Sequence, residues 1–218
     1  MEFIVDYLDF WKERYISILE YTYQHLVMSV ISLLLGILIT IPLAILLTRL
    51  KSNFLKSLVF NIANVFQTIP TIAMLALMIP ILGIGMKPAV TAMFLYSLLP
   101  LLRNTYTGIK SIDPGVVDSA KGMGYSAFQS LVKIELPLAM PYIMSGIRVT
   151  SVYIISWVTM AAVIGAGGLG GLIISGIGFN NKYLIFTGTI LAIILAVGTD
   201  LIFGRIEKSR NKNRRKTI

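Results

Sequence analysis

The sequence predicts an all-α integral membrane protein with five transmembrane helices, and three observations carry that prediction. Of 218 residues, 56% are hydrophobic and 13% charged, and the apolar residues fall in unbroken runs instead of alternating with polar ones. No charge occurs between Glu20 and Arg49, between Lys56 and Lys87, or between Arg148 and Lys182. Each gap exceeds the roughly 20 residues that a helix needs to cross a bilayer. Two shorter apolar runs, 88–102 and 183–199, complete the set. Arg103 can snorkel to the headgroups and let the first continue toward Gly108, and the second can extend through Asp200 toward Gly204.

Residues 1–20 carry Glu2, Asp6, Asp9, Glu13 and Glu20, the wrong charge for a cleaved leader, and no small-residue cleavage pattern follows. Phe3, Ile4, Tyr7, Leu8, Trp11, Tyr15, Ile18 and Leu19 recur at helical spacing. The segment is expected either to lie as an amphipathic helix on the outer surface or to lead directly into span one.

Span one is expected over 23–47, with Pro42 kinking it or loosening its last turn. Span two, 58–79, places Asn61, Asn64, Thr68 and Thr71 at steps of three, four and three, one face of a helix. Interhelical hydrogen bonding and the lining of a pathway both explain such a stripe, and both bury it inside a bundle. Span three, 88–108, opens on Pro88, a favourable first-turn residue. Span four is expected over 149–164 and span five over 183–204, followed by a basic tail, 205–218. Tyr153 and Trp157 stand four apart on one side of span four. They are either transit contacts for a cationic solute or packing within the bundle.

Lys and Arg fall unevenly on the alternate connections. One side receives 15 of the 19, from Arg49 to Lys56, from Arg103 to Arg148 and in the tail, and the other receives only Lys12, Arg14, Lys87 and Lys182. Positive loops stay in the cytoplasm, so the N-terminus is expected outside and residues 109–148 and the tail inside. The net charge of +9 sits largely in the tail directly after the last span, where anionic lipid and not nucleic acid is the ordinary partner.

Catalysis has no candidate groups. There is no cysteine, a single histidine (His25, read as an interfacial residue) and no H-E-x-x-H or paired carboxylate. No catalytic, cofactor-binding or metal-binding residue is expected. "GAGGLGG" at 165–171 contains G-x-G-x-x-G, but it follows a membrane helix and not a strand, and no βαβ unit surrounds it. Close backbone packing or a flexible outer turn explains it better. No P-loop is present, so any ATP chemistry belongs to a partner. Asp200 alone is ionisable within a span, where ion-driven carriers usually place several such groups.

The passage "DSAKGMGYSAFQSLVKIELPLAMP", 118–141, departs from the apolar runs. Asp113 then Pro114 forms a helix start, expected to run to about Met123. Gly124 supplies a break, and Ser126 with Gln129 has the form of a capping box. A second short helix is expected to end before Pro137, with Pro141 fixing the return to span four. Phe128, Leu131 and Val132 can share its apolar face. Such a knob is shaped to fit a groove.

These residues resemble the membrane subunits of type I ATP-binding-cassette (ABC) importers. That family's mark is E-A-A, three residues, G, nine residues, then I-x-L-P. Here Asp118, Ser119 and Ala120, then Gly124, Ile134, Leu136 and Pro137, keep the spacing, with Asp118 and Ser119 departing from Glu and Ala. "TIPTIAMLALMIPILGIG" at 68–85, "LYSLLPLLRNTYTGI" at 95–109 and "IGAGGLGG" at 164–171 look like the branch that imports glycine betaine, carnitine and choline. The resemblance implies the type I importer permease fold over 21–204, in a bacterial cell membrane. It implies that the loop couples to a separate ATPase through Asp118, Ser119, Ala120, Gly124, Ser126, Phe128, Ile134, Leu136 and Pro137. It further implies ATP and Mg on that partner, a second permease subunit (the same chain or a close paralogue) and a separate extracytoplasmic binding protein. Asn64, Thr68, Thr71, Tyr153 and Trp157 are the candidate pathway residues. Another small solute such as an amino acid remains an alternative, as does an ATPase-independent channel or carrier.

Overall fold

The computed structural model describes residues 2–214, with side chains described for 5–208. The expectations for Phe3 and Ile4, and for the tail's side chains beyond 208, lie outside the described residues. Only helices occur among the described residues.

A single helix, α1, runs from Glu2 to Arg49 and passes through Pro42 without interruption. The first twenty residues are therefore the lead-in to span one and not a separate surface segment. Their aromatic face needs cover and finds it within the chain. Phe10 and Ile18 are buried with Leu169, Leu172 and Leu184, and Tyr7, Trp11, Tyr21 and Tyr183 pack around them.

The expected second span is two helices, α2 (Asn53–Thr68) and α3 (Thr71–Leu82), which meet at 104°. Pro70 is the cause: it holds Ile69 extended, at φ −67° and ψ 130°, because its ring disfavours a helical residue before it. Thr71 therefore lies beyond the bend, and the four polar residues do not share one straight face. Asn61, Asn64 and Thr68 are exposed and Thr71 half-buried. Within this chain the stripe is therefore not buried as a bundle interior would bury it.

Helix α4 (Met86–Lys110) is the centre of the bundle, with thirteen of its 25 residues buried. It packs against α1, α2, α3 and α7. Neighbours shield it on most sides, so it tolerates Tyr96, Ser97 and Thr105 in its interior. Two short helices follow, α5 (Pro114–Gly122) and α6 (Ala127–Ser130), then a π turn (Leu131–Glu135) that leads without a break into α7 (Leu136–Val158) and a 3-10 turn (Thr159–Ile164).

The second short helix thus does not end before Pro137, and Pro141 makes no return; both lie inside one helical run. The π turn explains the tolerance. The amide of Leu136 bonds five residues back to Leu131, a wider ring that shifts the register where Pro137 brings no N–H. Helix α8 (Leu169–Gly178) and helix α9 (Lys182–Arg214) close the fold. Asn181 caps α9 by accepting from the amides of Tyr183 at 3.0 Å and Leu184 at 3.3 Å.

By length and composition three segments can cross a membrane: Val5–Arg49, Ala127–Ile164 and Lys182–Lys208, with the bent pair α2–α3 a fourth if it is one span. Helix α4 covers the expected third span but owes its position to burial among the others.

Candidate functional site

The site is built at the end of the bundle where α1 and α4 finish in Arg49 and Lys110. Local chemistry shapes it. Asp113 caps α5, its carboxylate accepting from the amide of Gly115 at 2.7 Å. The helix stops in a left-handed turn at Gly124, φ +84°. There the amide of Gly124 bonds to the Lys121 carbonyl at 2.9 Å and that of Tyr125 to the Ala120 carbonyl at 3.1 Å, the paired bonds of a Schellman motif. Ser126 and Gln129 form the reciprocal capping box at 2.9 and 3.2 Å.

The two short helices present an apolar surface outward. Phe128 is 73% and Met123 68% exposed, and Val116 and Val132 stand open beside them. Asp118 and Ser119 are exposed on α5, and Asp118 pairs with Lys121 at 2.9 Å. Ala120 is fully buried and Ile134 and Leu136 half-buried; Gly124, Ser126 and Pro137 are exposed. The motif residues thus divide into an exposed set and an anchoring set. An exposed apolar group rimmed by charge is the ordinary form of a protein docking surface.

Behind this knob stands a contact that sequence reasoning missed. Arg49 donates through Nη2 to Glu135 Oε2 at 2.6 Å, and Ser130 Oγ donates to Glu135 Oε1 at 3.3 Å. Arg148 pairs in bidentate fashion with Asp200, at 2.6 and 2.8 Å, and reaches Glu207 at 3.4 Å. Asp200, read as a lone intramembrane charge, is therefore neutralised by α7. Partners 86 and 52 residues apart leave no periodic signal; the only hint was that both carboxylates sit beside basic segments.

Along the bundle, Tyr153 and Trp157 on α7 lie 5.4 Å apart between ring centroids, and Tyr96 of α4 joins them at 4.8 Å from Trp157. Tyr96 was not singled out in sequence. Its hydroxyl donates at 2.6 Å to the carbonyl of Ile69, one of the groups freed by the bend at Pro70. Tyr153 is exposed and Trp157 half-buried. Thr68 and Thr71 flank the same bend, whereas Asn64 stands exposed further back on α2. The candidate pathway residues thus do not form a closed cavity within one chain.

At the opposite end the glycine-rich stretch packs closely on α1. The amide of Gly168 donates to Gln24 Oε1 at 3.0 Å. His25 is fully buried, its Nε2 donating to the Ile155 carbonyl at 3.0 Å, so it is an interior residue and not an interfacial one. Among the described residues no group of three His, Asp or Glu stands together as a metal site.

Residues 36–212 match the family described as binding-protein-dependent transport system inner membrane component. The chain is 41% identical over 192 residues to the choline transport system permease protein OpuBB of Bacillus subtilis (strain 168), covering 88% of each. It is 41% identical over 198 residues to the carnitine transport permease protein OpuCB of Listeria monocytogenes, covering 91% of this chain and 90% of that one. Its fold is similar to that of the inward-facing MetNI methionine ABC transporter, with a TM-score of 0.79 at 26% identity over 88% of this chain and 95% of that chain. With this likeness over about nine-tenths of its length, the chain belongs to the family of binding-protein-dependent transport system inner membrane components, as an ABC transporter permease subunit whose ATPase is a separate chain.

Proposed function

We propose that the chain is the permease of an ATP-driven importer of quaternary-amine osmoprotectants: glycine betaine, carnitine and choline. The likeness to permeases named for choline and carnitine, at 41% identity over about nine-tenths of the chain, carries this reading. In it the protein crosses a bacterial cell membrane five times, with α4 and the bent α2–α3 pair as spans, its N-terminus outside and the knob and tail in the cytoplasm. The excess of basic residues on the knob side supports that orientation.

A single chain makes half a transporter. The exposed Asn61, Asn64 and Thr68 and the open face beside Tyr153 would be covered by a second permease, the same chain or a close paralogue. A separate receptor delivers solute outside, and two ATPase subunits bind the knobs inside. Nucleotide binding brings the ATPases together, moves residues 113–135 and biases the pair from inward-facing to outward-facing. A trimethylammonium group passing between the permeases meets the faces of Tyr153 and Trp157, which attract cations, while Thr68 and Thr71 offer hydroxyls at the bend.

The test is uptake of labelled choline by the assembled transporter in proteoliposomes. Glycine betaine and carnitine should compete, while methionine, the solute named for the structural relative, should not. Displacement by methionine alone would assign the chain to amino-acid import. In the same assay Trp157→Leu should slow uptake about fivefold with receptor affinity unchanged; an unchanged rate removes Trp157 from the pathway.

A further inference from the structure

We propose that Arg49 and Glu135 are positioning residues that make α1 move with the coupling knob, so that the knob's stroke reaches the glycine-rich turn at the far end of the bundle. The inference rests on the transporter reading above and assigns a role to Glu135, the unspecified position of the family's I-x-L-P, and to Arg49, which the motif does not include.

Helix α5, the first part of the knob, packs mainly against α6 and the π turn. Between it and the ends of α1 and α4 lies a cavity of about 240 Å³, lined by Thr48, Ile109, Lys110, Pro114, Val117 and Lys121 among others. A push on α5 reaches α4 through the three-residue connection 111–113, but no close-packed route leads straight to the end of α1. It passes also into the π turn, and from there two further routes leave. One is the backbone of α7. The other is Glu135, only 3% exposed, whose carboxylate is held by Arg49 at 2.6 Å and Ser130 at 3.3 Å.

Among the described residues Arg49–Glu135 is the only ion pair between residues 113–135 and another element. Nearby, Leu136 and Ile112 pack against the cluster of Leu101, Ile109, Ala139, Ile143 and Ile147, against which Ile41 and Ile45 also pack, and such apolar surfaces slide more easily than a charged hydrogen bond stretches. Helix α1 then carries the displacement as one continuous rod. Gln24 and Arg49 are 25 residues apart, about 37 Å at 1.5 Å per residue. At that level Gln24 holds the Gly168 amide at 3.0 Å and His25 holds the Ile155 carbonyl at 3.0 Å. The pair at one end of α1 and the glycine turn beside its middle are thus joined by a single helix.

The experiment compares receptor-stimulated ATP hydrolysis with solute uptake in proteoliposomes holding the whole transporter. Arg49→Gln and Glu135→Gln should each leave hydrolysis within about twofold and lower uptake per ATP about tenfold. The double variant should be no worse than either single, as expected for residues acting as a unit. Arg49→Lys should keep most of the coupling. Unchanged uptake per ATP, losses that multiply in the double variant, or parallel loss of hydrolysis and uptake would each overturn the proposal.

A second measurement replaces the pair's charges with a covalent link, so that the bridged form is compared with the unbridged one. The chain has no cysteine, so Arg49→Cys with Glu135→Cys can be bridged by a short thiol reagent. The bridged transporter should still import; arrest by the bridge would show that these elements separate during the cycle and would sink the idea. If the unsubstituted assembly neither hydrolyses ATP nor imports, the transporter reading itself has failed, a distinct result.

Discussion

Gly170 shows how far single residues decide this fold. A Cβ there would run into the backbone carbonyl of Thr159, an atom that cannot swing aside, so α8 can seat on the 3-10 turn only with glycine. Gly170→Ala should lower stability by about 1–3 kcal/mol, read as the midpoint of thermal unfolding in detergent. Gly178→Ala, where nothing stands within 4 Å, should stay within about 0.5 kcal/mol. Equal effects at the two positions would contradict the packing described. Gly124 matters for another reason. No atom crowds its side, but its φ of +84° is one that a β-branched residue adopts at a cost of about 1–2 kcal/mol, and the Schellman turn that separates α5 from α6 depends on it.

At the scale of elements, the knob is a small amphipathic unit whose apolar side faces away from the bundle. Phe128→Asp alters no buried contact, since the ring is 73% exposed, and should leave the permease folded. It should weaken association with the ATPase by about 2 kcal/mol, or about thirtyfold in Kd, measured by co-purification from membranes; undiminished recovery of the ATPase would place the docking surface elsewhere. This element was also the most legible in sequence. Asp113, Gly124 and the Ser126–Gln129 box act within a few residues of themselves, so their spacing alone states what they do. The spans were legible in place but not in number or shape: five were expected, whereas by length and composition three segments can cross, or four with the bent pair as one. Pro70 bends the chain by 104°, while Pro137 and Pro141 do not end their helix; at Pro137 a π turn shifts the register, which no local pattern announces. Tyr96, Arg49–Glu135 and Arg148–Asp200 stayed hidden because their partners are set by which helices pack together.

The whole molecule is a bundle around α4 with unfilled sides. Large apolar residues lie open along α2 and α9, among them Leu58, Ile62, Val65, Ile193, Ile194 and Val197, as suits surfaces that meet lipid or a second permease. The described residues present open apolar faces and one exposed apolar knob, and the sequence carries no P-loop. The most direct measurement is solute uptake by proteoliposomes containing the permease with and without its ATPase, receptor supplied outside and ATP inside. The account predicts import only when both ATPase and ATP are present, and none driven by an ion gradient alone. Equal uptake by the permease without the ATPase would contradict it.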